Sequence, residues 1–204
     1  MRTARLETFS DGVFAIAATL LILDVRPEGA GSLTSQLLHA WPSYAAYALA
    51  FATIGIMWIN HHEVFRHIDR IDRPFLVINV FFLMVIAFIP LPTRVLAAHL
   101  HRDATTAAVF YGLTNVLMAA SYSALWFYAS IGRRLLSPDA DERAVSGITR
   151  SYLPGVPLYA LATLSAFISA WLAVSLFMAY AVFYVLESSL FGRGTPGYDL
   201  STTT

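Results

Sequence analysis

Long apolar segments constrain this chain more than any other feature of its sequence. Apolar residues make up 57% of the 204 positions and charged residues only 13%. A soluble domain carries about 25% charged residues, whereas a bilayer crossing needs about 20 mostly apolar residues in a row. We therefore predict an all-α integral membrane protein with several transmembrane helices.

Six stretches are candidates for membrane spans, and polar loops separate the first four clearly. The last apolar block is about twice the length of one span, so we expect it to fold back near Ser169–Leu172. No internal repeat is visible, which predicts one six-helix unit over residues 1–192 and a flexible cytoplasmic tail over 193–204. The predicted spans are Glu7–Val25, Ser43–Glu63, Pro74–Leu96, Thr105–Ser130 and two within Arg150–Leu190.

The distribution of arginine predicts the orientation. With six spans both termini lie on one side, and that side carries ten of the 13 basic residues, all of which are arginine. Because cytoplasmic loops are enriched in Lys and Arg, we place both termini in the cytoplasm. The lack of lysine favours a GC-rich bacterial genome and hence the cell membrane. In the long inner loop, Ser137 is predicted to cap the helix that follows.

A charged residue within the first span requires an explanation, because burying it costs about 2.5–3.5 kcal/mol on insertion scales. Asp11 lies about one turn into that span and points roughly 140° away from Ile16 on a helical wheel. It is therefore expected to face its own subunit. Its candidate partners are polar residues of the second and third spans: Asn60, His61, His62, Glu63 and Asn79.

Two interpretations of these polar residues remain open. The simpler one is a hydrogen-bonded network that holds the first three spans together, because buried polar groups are normally paired. The other is a proton relay, in which a proton-coupled transporter uses Asp11 and His61 or His62. Such carriers usually contain internal repeats. A metal site is disfavoured, since His61-His62-Glu63 lacks the i, i+4 spacing of a zinc-binding helix.

An aliphatic stripe follows Asp11 on a different face of the same helix. Ile16, Leu20 and Leu23 occur at i, i+4 and i+7, a spacing that by itself is typical of ordinary helix packing. Thr19 lies beside the stripe and is equally typical of a helical threonine bonded to its own backbone.

The sequence offers little support for an enzyme. It contains no cysteine, which excludes a thiol nucleophile and a cysteine-based metal site. No nucleophile elbow, P-loop or dinucleotide fingerprint is present, so we predict no catalytic activity and no cofactor. The formal net charge of zero gives no general attraction to nucleic acid.

Two motifs resemble a known family. Arg5, Phe9, Ser10 and Asp11 match the signature Arg-x-x-x-Phe-Ser-Asp, which is followed here by GVFAIAATLLIL. Trp58, His61 and His62 form a WxxHH stretch in the second span. Both resemble the first two helices of the transmembrane protein 175 family, which comprises potassium-permeable channels of lysosomes and bacteria.

The resemblance implies a homotetramer in the lipid bilayer, with the first helix of each subunit lining a central pore for potassium ions. The family constriction is built from bulky aliphatic residues after the motif, and the matching positions are Ile16, Leu20 and Leu23. Thr19 matches a hydroxyl layer found in some members. Rings of this kind can gate by dewetting, with a modest preference for K⁺ over Na⁺.

The resemblance also assigns roles to the remaining polar residues. Asp24 and Glu28, just beyond Leu23, are expected to form an acidic outer vestibule, with two solvated loop acids as the alternative. A structural network is expected to fix the pore helix, formed by Arg5, Phe9, Ser10, Asp11, Trp58, Asn60, His61, His62 and Asn79.

Overall fold

The computed structural model describes residues 3–27, 30–100 and 102–191, with side chains of the last helix described through Tyr184. Over these ranges the chain is almost entirely helical. Two short 3₁₀-helices, Leu21–Asp24 and Ile131–Arg133, extend the ends of α1 and α6. The α-helices are α1 (Ala4–Leu20), α2 (Leu33–His39), α3 (Trp41–Arg66), α4 (Arg73–Phe88), α5 (Pro90–His99), α6 (Ala104–Ser130), α7 (Glu142–Tyr152), α8 (Gly155–Ser165) and α9 (Ala170–Phe191).

Four helical segments of the described chain are long and apolar enough to cross a bilayer. Their ends differ from the first four predicted spans by three residues or fewer, so those spans and the all-helical class are confirmed. The segments are Ala4–Asp24, Trp41–Arg66, Arg73–His99 and Ala104–Arg133.

The C-terminal apolar block departs from the prediction of two full spans. The first part of it belongs to the amphipathic helix α7, and α8 has only 11 residues. Such a helix is about 16 Å long, roughly half the thickness of the hydrocarbon core. The turn that follows occupies residues 166–169, slightly before the predicted Ser169–Leu172. The count of six crossings stays a prediction, and the tail 193–204 lies outside the described residues.

The segment between α3 and α4 is joined by backbone pairing to the segment between α6 and α7. The N–H of Asp69 donates to the carbonyl of Leu135 at 3.1 Å, and the N–H of Ser137 donates to the carbonyl of His67 at 2.9 Å. Because Ser137 is held in this pairing, the predicted N-cap at Ser137 is wrong. The cap of α7 is Asp141, whose side chain accepts from the N–H of Arg143.

Two prolines, Pro90 and Pro92, lie in the first turn of α5, directly after the end of α4. Pro90 has no N–H for the carbonyl of Ile86, and the N–H of Ile89 donates to that carbonyl instead. The hydroxyl of Thr93 bonds the carbonyl of Ile89 at 2.8 Å. Pro90, Pro92 and Thr93 are buried, so this irregular backbone faces protein, as irregular backbone at membrane depth must.

Helix α6 lies at the centre of the described chain, where it packs against α4, α5 and α8. It packs tightly on α8 at Gly112, where a Cβ atom would collide with the side chain of Thr163. Helix α1 lies at the edge of the subunit and packs on α3 and α4. One face of α1 therefore remains outside the core.

Candidate functional site: the two faces of the first helix

The buried face of α1 follows a helical repeat. Leu6, Ser10, Phe14, Ala17 and Leu21 are all buried, and their spacing of three or four residues places them on one side of a helix. This side contacts α3 and α4. The position of α1 in the subunit is therefore set by these five side chains.

The aliphatic stripe lies on the exposed face. Ile16, Leu20 and Leu23 are 61%, 45% and 64% exposed, whereas Ala17, the residue next to Ile16, is 2% exposed. Large aliphatic side chains left outside the core of one subunit must be covered by lipid, by another subunit or by a dewetted cavity. The structure thus separates the stripe from the packing face of the same helix.

The chain narrows to a 3₁₀-helix directly after α1, and this change aligns the side chains of the aliphatic stripe. Residues Leu21–Asp24 form a 3₁₀-helix, in which side chains at i and i+3 eclipse one another. Leu23 therefore stands directly above Leu20. With a rise of about 1.5 Å per α-helical residue and about 2.0 Å per 3₁₀ residue, Ile16, Leu20 and Leu23 form three layers about 6 Å apart.

Thr19 contributes an oxygen to this face. Its hydroxyl donates to the carbonyls of Ala15 at 2.9 Å and Ile16 at 3.0 Å. Because the hydroxyl hydrogen is engaged by the helix, the exposed oxygen retains only its acceptor function. This position therefore offers a lone pair to a cation and no donor to an anion.

Phe9 also lies on the exposed face, apart from the network in which the sequence had placed it. It is 56% exposed and sits two helical turns before Ile16, within about 20° of it on the helical wheel. No signal in the motif distinguishes it from Ser10, its buried neighbour. The helical wheel anchored on Ile16 would have separated the two residues.

A hydrogen-bonded chain joins α1, α4 and α3. The amide nitrogen of Asn79 donates to the hydroxyl oxygen of Ser10 at 3.2 Å. The amide oxygen of Asn79 lies 3.0 Å from Nε2 of His61 and can only accept, so Nε2 carries the hydrogen. The Ser10 hydroxyl in turn donates to the carbonyl of Leu6 at 2.8 Å. All three side chains are 2% exposed or less.

Aromatic rings enclose the imidazole in this chain. The ring of Phe65 stacks on His61 with 4.4 Å between centroids, while Phe14 and Phe82 lie 5.4 and 6.0 Å away. In such apolar surroundings the Nε2 hydrogen depends on its one partner, since an unpaired buried donor is costly. Asn79 is therefore the central member of the network.

Asp11 has a different partner from those predicted. Its carboxylate accepts a hydrogen bond from Nε1 of Trp58 at 2.8 Å, and both side chains are exposed within the single subunit. Glu63 instead pairs with Arg66 at 3.2 Å. The helical wheel gave the direction of Asp11 but could not show which side chain of α3 is long enough to reach it.

The other residues of the predicted network lie outside the hydrogen-bonded chain of Ser10, Asn79 and His61. The ring of His62 stacks on Trp58 with 6.5 Å between centroids. Within the described ranges, the side chains of Arg5, Asn60 and His62 make no hydrogen bond with the Ser10–Asn79–His61 chain.

Basic side chains lie beside the C-terminal end of α1, where the acidic vestibule was predicted. The carboxylate of Asp24 lies 3.8 Å from the guanidinium of Arg94 on α5, which partly offsets its charge. Nε of Arg26 lies 3.5 Å from the carbonyl of Leu23 and adds a second positive charge. Glu28 lies outside the described residues. Across the part of the chain that the structure describes, no three His, Cys, Asp or Glu side chains come together to hold a metal ion.

Comparison with known proteins identifies the family. The family model described as the endosomal/lysosomal potassium channel TMEM175 matches residues 5–90. A protein from Chamaesiphon minutus named a potassium channel is 41% identical over 194 residues, which cover 92% of this chain and 95% of that protein. The chain belongs to the TMEM175 family. The resemblance seen in the two motifs is thereby confirmed.

Other members of the TMEM175 family extend this comparison. A protein from Streptomyces collinus named a potassium channel is 42% identical and covers 89% of this chain and 91% of its own length. The crystal structure of a TMEM175 homologue from Chamaesiphon minutus, described as a lysosomal potassium-selective channel, superposes with a TM-score of 0.83 at 38% identity. It covers 91% of this chain and 97% of that one.

The animal relatives match over a shorter range. The human protein, named an endosomal/lysosomal proton channel, is 39% identical over 98 residues, which are 43% of this chain and 19% of that protein.

Proposed function

We propose that this chain forms a potassium-permeable channel in the cell membrane, with α1 of four copies surrounding a central pore. The exposed aliphatic face of α1 is the observation that carries this proposal. The names of the bacterial relatives as potassium channels support the choice of ion. Their names as channels also support a non-enzymatic role.

Hydrophobic gating follows from the layers on this face. Four copies of Ile16, Leu20 and Leu23 would enclose the axis in three rings about 6 Å apart, and narrow apolar rings expel water. Removing water from Na⁺ costs more than removing it from K⁺. We therefore propose a modest preference for K⁺ over Na⁺. A ring of four Thr19 oxygens, all of them acceptors, would partly replace the lost water.

The membrane topology is part of the same proposal. Six crossings with both termini in the cytoplasm agree with the arginine count and place Leu23 toward the outer face. The outer mouth then carries Asp24 paired with Arg94. Because Arg94 partly offsets the charge of Asp24, this pairing supports a nearly neutral entrance rather than a strongly acidic vestibule.

Proton movement is the second candidate, because the animal relatives are named proton channels. A proton-coupled transporter using Asp11 and His61 or His62 receives less support from the geometry. Asp11 bonds Trp58, whereas His61 bonds the amide of Asn79. An amide does not readily give up and regain a proton, so Asn79 interrupts a relay from His61 to Ser10.

Silver ions can test the pore face, because the chain has no cysteine of its own. Ag⁺ binds thiolates and resembles K⁺ in charge and size. We expect Ag⁺ to block potassium flux into proteoliposomes that contain Ile16→Cys, Thr19→Cys or Leu23→Cys. Ala17→Cys is the matched control, since Ala17 adjoins Ile16 but is buried.

Several outcomes would contradict the proposal. Equal effects of Ag⁺ on Ile16→Cys and Ala17→Cys would refute the assignment of the conducting face. A detergent-corrected mass well below four times the 22.5 kDa chain would refute the tetramer. A pH-sensitive dye in vesicles without K⁺ measures the proton alternative, and proton flux that saturates at carrier-like rates would favour it.

A further inference from the structure

A cavity of about 40 Å³ lies within the subunit, between α3, α6, the junction of α7 and α8, and α9. It contacts the side of α3 that bears Asn60, roughly opposite Trp58 on the helical wheel. It is therefore separate from the exposed face of α1. Along α3 its lining runs from Thr53 to Asn60, a distance of about 10 Å.

One wall of this cavity is polar and lacks partners. Asn60, Ser123 and Ser151 line it, and none of their side chains hydrogen-bonds to another described residue. Asn60 and Ser123 are half-buried and Ser151 is exposed. Their hydrogen-bonding groups are therefore available to a molecule inside the cavity.

The opposite wall is apolar, formed by Ile56, Met57 and Ala119, and none of the lining residues is charged. A charged ligand would lose its water without gaining a counter-charge, so the occupant must be neutral. A volume of about 40 Å³ holds three or four water molecules, since one needs about 10–15 Å³. The hydroxymethyl end of an alcohol has a similar size.

We propose that this cavity binds the hydroxyl end of a neutral primary alcohol whose alkyl chain extends through the open side of the cavity into the bilayer. The hydroxyl group hydrogen-bonds Asn60 and Ser123, and the first methylene groups contact Ile56 and Met57. The site requires only the fold of one subunit and does not depend on ion conduction.

Photolabelling tests this site on the purified full-length chain in lipid nanodiscs. The probe is an octanol that carries a diazirine, and 1-hexanol is the competitor. We expect labels on residues that line the cavity, mapped by mass spectrometry, and displacement by excess 1-hexanol. Ala119→Phe should fill the cavity and reduce labelling at least fivefold, whereas Ala124→Phe, at an exposed position of the same helix, should not.

A milder variant keeps the proposal testable if Ala119→Phe does not fold. Ser123→Ala removes one hydroxyl partner, and the 1-hexanol concentration for half-displacement should rise about fivefold. The proposal is overturned if labels scatter over the lipid-facing surface and resist 1-hexanol, which would leave water as the occupant. It is also overturned if folded Ala119→Phe or Ser123→Ala protein behaves like the wild type.

Discussion

Replacing Asn79 should destabilise the fold because it breaks the network at its centre. In Asn79→Ala the Nε2 hydrogen of His61 loses its only partner among the described residues, and three phenylalanine rings surround the imidazole. The Ser10 hydroxyl loses one contact but still donates to the carbonyl of Leu6. Most of the effect should therefore arise at His61.

The magnitude follows from comparison with Asn115. Asn115→Ala removes the same side-chain volume from a site that is equally buried, so the cost of the new void largely cancels between the two variants. It also removes the costly unpaired amide oxygen of Asn115, together with the hydrogen bond from its amide nitrogen to the carbonyl of Tyr111. An unpaired buried donor costs about 1–3 kcal/mol, whereas hydrogen bonds in membrane proteins average about 0.6 kcal/mol. We expect Asn79→Ala to be less stable than Asn115→Ala by about 1.5 kcal/mol, roughly tenfold in the folding equilibrium.

Reversible unfolding by SDS in mixed micelles measures this difference, with the fluorescence of the four tryptophans as the signal. A double-mutant cycle with Ser10→Ala should give a coupling of about 0.6 kcal/mol between Ser10 and Asn79. The reasoning fails if Asn115→Ala costs as much as Asn79→Ala. It also fails if Ser10 and Asn79 act independently.

Two further substitutions examine other parts of the subunit. Gly112→Ala should destabilise the protein by about 1–3 kcal/mol because the new methyl group would meet Thr163, with its Cγ2 only 2.8 Å away; Gly55→Ala, which meets nothing within 4 Å, should be neutral or slightly stabilising in the same SDS assay. At Asp72, desolvation raises the pKa, but hydrogen bonds from the Phe75 N–H and the Tyr128 hydroxyl, with the charge of Arg134, outweigh it and hold the pKa below 3.8. The unfolded chain therefore takes up this proton first, and the wild type should lose stability as the pH falls from 3.8 through the lower pKa of the folded state. Asp72→Asn should lack this loss in acid unfolding curves, and an equal loss in both proteins would contradict the assignment.

The sequence predicts the first four spans well because length and apolarity alone define them. The same criterion does not locate the helix boundaries after Arg150, where the apolar block continues through Pro154, Gly155 and Pro157. These residues end one helix and begin another, so the apolar block holds part of α7 as well as α8 and α9. Hydropathy averaged over a window cannot detect such boundaries.

The candidate site, too, could be predicted only in part from the sequence. A helical wheel separates Asp11 from Ile16, because direction around a helix depends only on residue number. The choice of partner depends on tertiary distance and side-chain length, which is why Trp58 was not expected for Asp11. The 3₁₀ turn that aligns Leu23 with Leu20 has no marker in the sequence, since Leu21–Asp24 carries no Pro or Gly.

The pairing of residues 67–69 with residues 135–137 has a consequence for topology. Two backbone segments that exchange hydrogen bonds at 2.9 and 3.1 Å must lie on the same side of the bilayer. The chain between them must then cross an even number of times. Arg73–His99 and Ala104–Arg133 therefore cross the bilayer in opposite directions. This conclusion depends only on the even number of crossings and not on which compartment the loops occupy.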